Sequence, residues 1–263
     1  MTSVNYVQIP SLILITKSVL ISLIYMDKIL FQLNRIYTQF IVFVFSIVNP
    51  WKKIEGVFLP VLFKTGFNTN RWIFNGQYEC GEISIIKEKL QKEDIILEIG
   101  TGLGFLAAYC AKIAGDKNVF TYEANTKNVA LIQTVFKKNK VYPTLTNAYL
   151  SIEKGIHSFP VNSKNMLGSS TLIETDEMIL IPQLNLNDEI KKINPSFLIM
   201  DIEGGEYTIF SIISFHTIQK IQFELHPKIL SKEKCNHIFE ILQTNGFKMD
   251  KDLSTEVNYY FYK

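Results

Sequence analysis

The stretch "LEIGTGLGF" (residues 97–105) sets Gly100, Gly102 and Gly104 at every second position between an apolar run and a helix-like segment. Glycine reaches backbone conformations closed to other residues and lets a ligand approach the main chain, yet it weakens ordered elements. Glycines so placed mark a strand, a tight turn and a helix start arranged around a small molecule. In an open α/β sheet ligands bind at the carboxyl ends of the strands, and this turn follows a strand at 94–99.

The flanking chain alternates in the same manner. "RWIFN" (71–75) reads as a short strand and "CGEISIIKEKL" (80–90) as a helix. Helix 103–114 carries Ala107, Ala108 and Ala111, small enough for close packing on a sheet. Strand 118–124 ("NVFTYEA"), helix 126–138 and a third strand, 144–151, follow. Later come strands 196–201 and 218–225, helix 231–244, and the terminal strands "FKMD" and "VNYYFY". This rhythm predicts an α/β fold with a mostly parallel sheet and an antiparallel C-terminal edge. Residues 155–161 and 177–183 read as strands around the loop 162–176, rich in Asn, Ser, Thr and Gly. Long loops of that kind bind or cover ligands, so a lid is expected there.

Composition narrows the partners. The 263 residues are 47% hydrophobic and 20% charged, as in a folded globular protein, with a net charge of +2. Residues 1–72 hold seven Lys or Arg and two acids, leaving the rest net acidic. The basic end is also the apolar end, which favours a membrane surface over nucleic acid. Cys80, Cys110 and Cys235 form no metal-binding or disulfide spacing, so no metal and a reducing, cytoplasmic setting are expected.

No basic cluster or cleavage site marks a secretory signal. The run 9–26 carries a central Lys17, and the uncharged run 36–51 has only 16 residues, short of the ~20 that span a bilayer. Periodicity accounts for both better. Val19, Leu23, Met26, Leu30, Leu33, Tyr37, Phe40, Val44 and Ile47 alternate steps of four and three, an amphipathic helix that Pro50 ends. Such a helix packs on its own domain, pairs with a second copy, or lies in a membrane interface through residues 9–48. The expected division is a helical extension over 1–65 and a catalytic domain over 66–263.

Two cofactor classes use a turn like 100–104. "GLGFLA" fits the GxGxxA of dinucleotide enzymes, while Glu98, Gly100, Gly102 and Gly104 fit the acid-Gly-x-Gly-x-Gly of S-adenosylmethionine enzymes. Glu123, 19 residues after Gly104, ends the next strand, where a carboxylate accepts ribose hydroxyls from either cofactor. "LIMDIEGGEYTIF" (198–210) is more particular. Asp201, Glu203 and Glu206 fall within six residues after an apolar strand. Carboxylates crowded this way raise one another's pKa to make a base, or hold a cation. "FELHP" then puts Glu224 and His226 at the same sheet edge, facing one side.

Together "NGQYECGE", "LEIGTGLGF", "TYEAN", "NMLGSSTL", "LIMDIEGGE" and "FELHP" resemble, in that order, the FkbM family of S-adenosylmethionine-dependent methyltransferases over about residues 70–260. The resemblance implies a Rossmann-like class I fold: a mostly parallel seven-stranded sheet with an antiparallel C-terminal strand. It implies a cofactor site of Tyr78, Glu79, Glu98, Gly100, Thr101, Gly102, Gly104, Glu123, Ala124 and Ala148. Glu98 stands where many relatives carry Asp. Asp201 would border the transfer site, with Glu203, Glu224 and His226 as further catalytic candidates. The expected reaction is O-methylation of a sugar or glycan-like acceptor, with His226 or one of Asp201 and Glu203 as base. A divalent cation on Asp201, Glu203, Glu224 and His226 ranks below metal-free catalysis. An oxidoreductase using "GLGFLA" and an inactive membrane-docked binding protein are the alternatives.

Overall fold

The structure, a computed structural model, describes residues 32, 33, 36, 37, 39–41, 43, 44, 47, 48, 50–61, 67–161 and 177–263. The described positions between 32 and 48 are helical (α1). A hairpin follows, β1 (Trp51–Ile54) and β2 (Val57–Pro60), then α2 (Phe67–Asn75) and α3 (Cys80–Lys89). The body continues with β3 (Ile96–Ile99), α4 (Phe105–Ala114), β4 (Val119–Glu123), α5 (Thr126–Asn139) and β5 (Thr144–Asn147). Three strands lead out and back: β6 (Tyr149–Ser151), β7 (Gly155–Pro160) and β8 (Met178–Asn185). The C-terminal half comprises α6 (Leu186–Ile193), β9 (Phe197–Met200), α7 (Glu206–Ile212), β10 (Lys220–Glu224), α8 (Lys232–Thr244), β11 (Lys248–Met249) and β12 (Asn258–Tyr262).

Seven strands form one sheet in the order β11-β12-β10-β9-β3-β4-β5. The five strands from β10 to β5 are parallel, and β12 runs antiparallel to both β10 and β11. This is the class I methyltransferase arrangement expected above. β3 and β9 are buried along their whole length, so "ILEI" and "FLIM" are apolar without alternation. Their side chains divide between two cores. Ile96, Phe197 and Ile199 pack with α3, α4 and α5 on one face, while Leu97, Leu198 and Met200 pack with α6, α7 and α8 on the other. Chain order reverses between β3 and β9, which opens a crevice at their carboxyl ends.

Three expectations are corrected. Residues 71–75 lie inside α2, not in a strand. The buried Thr69, Asn70 and Ile73 are spaced for one helix face, a period visible only over the full nine residues. The strand expected at 144–151 is two strands in two sheets. It breaks at Ala148, whose N–H donates to the Glu123 carbonyl before the chain turns into the three-stranded sheet β6-β8-β7. The N-terminal extension is not helical through residue 65. Glu55 and Gly56, both at positive φ, close the β1–β2 hairpin, and Ile54, Val57 and Leu59 join the core around α4 and α5. Among the described residues of α1, Leu33, Tyr37, Phe40 and Ile47 are each 57–68% exposed. The helix positions before 32 and the lid at 162–176 lie outside the described residues.

Candidate active site

A cavity of about 620 Å³ fills the crevice at the ends of β3, β4, β9 and β10, well within the size usual for small-molecule sites. The glycine turn floors it. Gly100 has φ 89°, and a Cβ there would lie 1.8 Å from the Asp201 carbonyl oxygen, so the two loops touch main chain to main chain. At Gly102 (φ 55°) an added Cβ would sit 3.4 Å from the Tyr78 hydroxyl and the Glu79 carboxylate, which close over the turn. Gly104 does not line the cavity, a correction to the expected cofactor set. A Cβ there would meet the Phe136 ring at 2.8 Å, so this glycine is required for packing α4 against α5.

The other expected residues are brought together. Tyr78, Glu79, Glu98, Gly100, Thr101, Gly102, Glu123, Ala124, Ala148, Asp201, Glu203, Glu224 and His226 all line the cavity. Among the described residues no Lys or Arg does. Sequence reasoning missed Glu82, a charge set among Ile83, Ile85 and Ile86 on α3, and the aromatic wall of Tyr149 and Phe159. Glu82 had a signal: an acid among apolar helix positions is costly to bury without a partner. The wall had none, since it depends on where the second sheet folds back.

Two groups of carboxylates result. On the β3–β4 side, Glu98 is 1% exposed and accepts a hydrogen bond from Thr121, whose hydroxyl also meets that of Thr101. Burial pushes its pKa up to about 8, against the pull of Thr121. Glu123 accepts from the Asn125 N–H at 2.8 Å, and burial raises it to about 7 against the backbone amides of Asn125, Gly102 and Thr101. A carboxylate beside an open glycine turn can receive a nucleoside diol.

On the β9–β10 side, His226 is enclosed by acids. Nδ1 lies 2.7 Å from Glu206 Oε1, and Nε2 lies 3.3 Å from Glu203 and 3.8 Å from Asp201. Glu206, fully buried, also accepts from the Gly204 N–H, which fixes the loop 201–206. Burial alone would lower the His226 pKa, but the hydrogen bond His226 donates to Glu206 and the charges of Asp201 and Glu203 raise it to about 9. The imidazole is therefore an imidazolium at neutral pH. Asp201 rises to about 7 through burial, with His226 opposing and Glu203 adding. Glu224 rises to about 8 through burial, Asp201 and a hydrogen bond with Glu82. Asp201 Oδ1 is buried with no hydrogen-bond partner. Donor atoms of Asp201, Glu203 and His226, and of Glu82, Asp201 and Glu224, approach closely enough to hold a cation.

Among solved structures, the chain is similar to a precorrin-6y C5,15-methyltransferase from Geobacter metallireducens (13% identity, 71% of this chain and 89% of that one, TM-score 0.46). An FkbM methyltransferase from Methylobacillus flagellatus shares 18% identity over 66% of this chain and 44% of its own, with TM-score 0.45. A methyltransferase from Pyrococcus furiosus shares 14% over 88% and 98%, also at 0.45. No curated protein matches significantly. The model of the methyltransferase FkbM domain matches residues 86–249, well over half the chain, and takes in the glycine turn, the acid loop and "FELHP". The chain belongs to the FkbM family of S-adenosylmethionine-dependent methyltransferases.

Proposed function

We propose that this methyltransferase acts on a hydroxyl of a sugar or glycan-like small molecule, with Asp201 taking the proton. The observation that carries the proposal is the loop 201–206 facing His226. A carboxylate with a pKa near 7, one oxygen unpartnered, borders the cavity and is held beside a fixed cation. A base works best when its pKa lies near the working pH. His226 as imidazolium cannot accept a proton, which assigns it to positioning Asp201 and Glu203.

The cavity suits S-adenosylmethionine. Gly100 and Gly102 let the main chain form its floor, Tyr78 and Glu79 cover the turn, Glu123 would take the ribose diol, and Ala124 and Ala148 leave room beside it. When bound, the cofactor supplies an electrophilic methyl on a cationic sulfur. The acid-lined end offers that cation compensation, and the protein's own task is to align the acceptor oxygen, exclude water and receive the proton. The absence of Lys and Arg from the described lining supports a neutral polyhydroxy acceptor over nucleic acid, whose binding rests on phosphate contacts. All three cysteines are free, which supports a reducing, cytoplasmic setting.

The test is release of S-adenosylhomocysteine with sugar acceptors as a function of pH. With Asp201 as base, activity rises through about pH 7 or below and needs no added divalent ion. His226→Gln then lowers the rate but keeps a rising limb. A limb near pH 9 that vanishes in His226→Gln makes the histidine the base instead, and loss of activity on chelation favours the cation.

A further inference from the structure

The exposed face of α1 and the hairpin that follows it combine three features. Leu33, Ile36, Tyr37, Phe40, Val44 and Ile47 form one helical stripe, each 41–68% exposed. From Lys28 to Ile54 the sequence holds Lys28, Arg35, Lys52 and Lys53 and no acid. At the end of the stripe, ammonium groups sit over aromatic rings. Lys52 lies 5.5 Å from the Phe74 ring centroid and Lys53 5.5 Å from that of Phe58, while Lys138 lies 5.3 Å from Trp51. Glu55, at the hairpin turn, is turned to Lys87 at 2.9 Å.

We propose that this surface docks on an anionic lipid bilayer, with α1 lying in the headgroup plane and Lys52, Lys53 and Lys138 on lipid phosphates. Apolar stripe, basic flank and interfacial aromatics are the combination such helices use. Pairing with a second copy would bring the basic flanks together with no acid between residues 28 and 54 to offset them, whereas anionic headgroups do offset them. The docking also places the cavity. Trp72 is half exposed on the cavity rim and stands two residues from Phe74 on α2, within one turn of the lysine–aromatic cluster. The mouth then opens beside the lipid, suited to an acceptor carried at the membrane surface. The docking itself does not depend on which group is methylated.

The experiment is flotation of the full chain with phosphatidylcholine vesicles, with and without phosphatidylglycerol. Binding is expected only with the anionic lipid and weakens in high salt. Phe40→Glu with Ile47→Glu, or Lys52→Glu with Lys53→Glu, lowers it tenfold or more while circular dichroism and cofactor affinity stay unchanged. In a Trp51→Phe background, Trp72 emission shifts to the blue on the vesicles. No binding to anionic vesicles overturns the proposal, as does a dimer in sedimentation that Phe40→Glu dissociates. An unmoved Trp72 spectrum overturns the placement of the mouth.

Discussion

The two groups of carboxylates in the cavity face the same problem, burial, and meet it differently. Glu98 and Glu123 lean on the fold's own donors, a threonine hydroxyl and backbone amides at the ends of β3 and β4. Asp201, Glu203, Glu206 and Glu224 lean on one another, on Glu82 and on one histidine. The first group is complete without charge from outside and can present acceptors to a ligand. The second carries more negative charge than His226 can offset, so it holds protons or attracts a cation. On the reading proposed above, one side serves recognition and the other moves a proton.

The largest expected effect tests whether the two sides are mechanically joined. Gly100→Ala puts a Cβ within 1.8 Å of the Asp201 carbonyl at a strained φ, so its thermal midpoint should fall by several degrees or more. Gly102→Val meets only side-chain atoms, at 3.4 Å, but also sits at a strained φ of 55°, so its midpoint should fall less than that of Gly100→Ala while cofactor binding is abolished by calorimetry. Equal melting of Gly100→Ala and wild type would separate the two sides. Next, Asp201→Asn should cost 10²–10⁴ in rate, the range for a lost base, with cofactor affinity within a few-fold of wild type. A comparable loss of affinity would move Asp201 to the recognition side.

Smaller still, Glu123→Ala should weaken cofactor binding by about 1–3 kcal/mol, the cost of unpaired hydroxyl donors, and leave the pH profile unmoved. The mildest effect reads both sides together. Glu98, Glu123, Asp201 and Glu224 all have folded pKa values above their ordinary ones, so the folded state binds protons more tightly. His226 is raised as well, and its contribution is present below about 6.5 and lost through about 9. These five shifts share one sign. Stability of the cofactor-free protein should decline from about pH 5 to 9, measured as urea midpoints, and a flat profile would contradict the crowding described.

Much of this was legible in the chain because the signals were local. Gly100 and Gly102, the acid loop at 201–206 and "FELHP" each carry their meaning within a few residues, and the parallel strands announce themselves as short apolar runs. What stayed hidden depends on distant partners. "RWIFN" is too short to separate a period of two from 3.6, and only the burial of Thr69 and Asn70 reveals the helix. Gly104 belonged to the same pattern as its neighbours, and only the Phe136 ring shows that its role is packing. Glu82 and Glu224 lie 142 positions apart in the chain, and nothing in either segment announces that they share a hydrogen bond.

The second sheet has a consequence for how this enzyme can diverge. Tyr149 pairs with Gln183 and Ser151 with Asn185, so the chain departs and returns at adjacent points before resuming in α6. Among the described residues between 152 and 182, none belongs to a strand of the seven-stranded sheet. Doubling such an excursion costs only about 0.6 kcal/mol in closure entropy. Tyr149, just before this segment, and Phe159, within it, form one wall of the cavity. Insertion, deletion or grafting there would reshape the cavity wall beside Ala124 and leave the strand pairing of the main sheet in place.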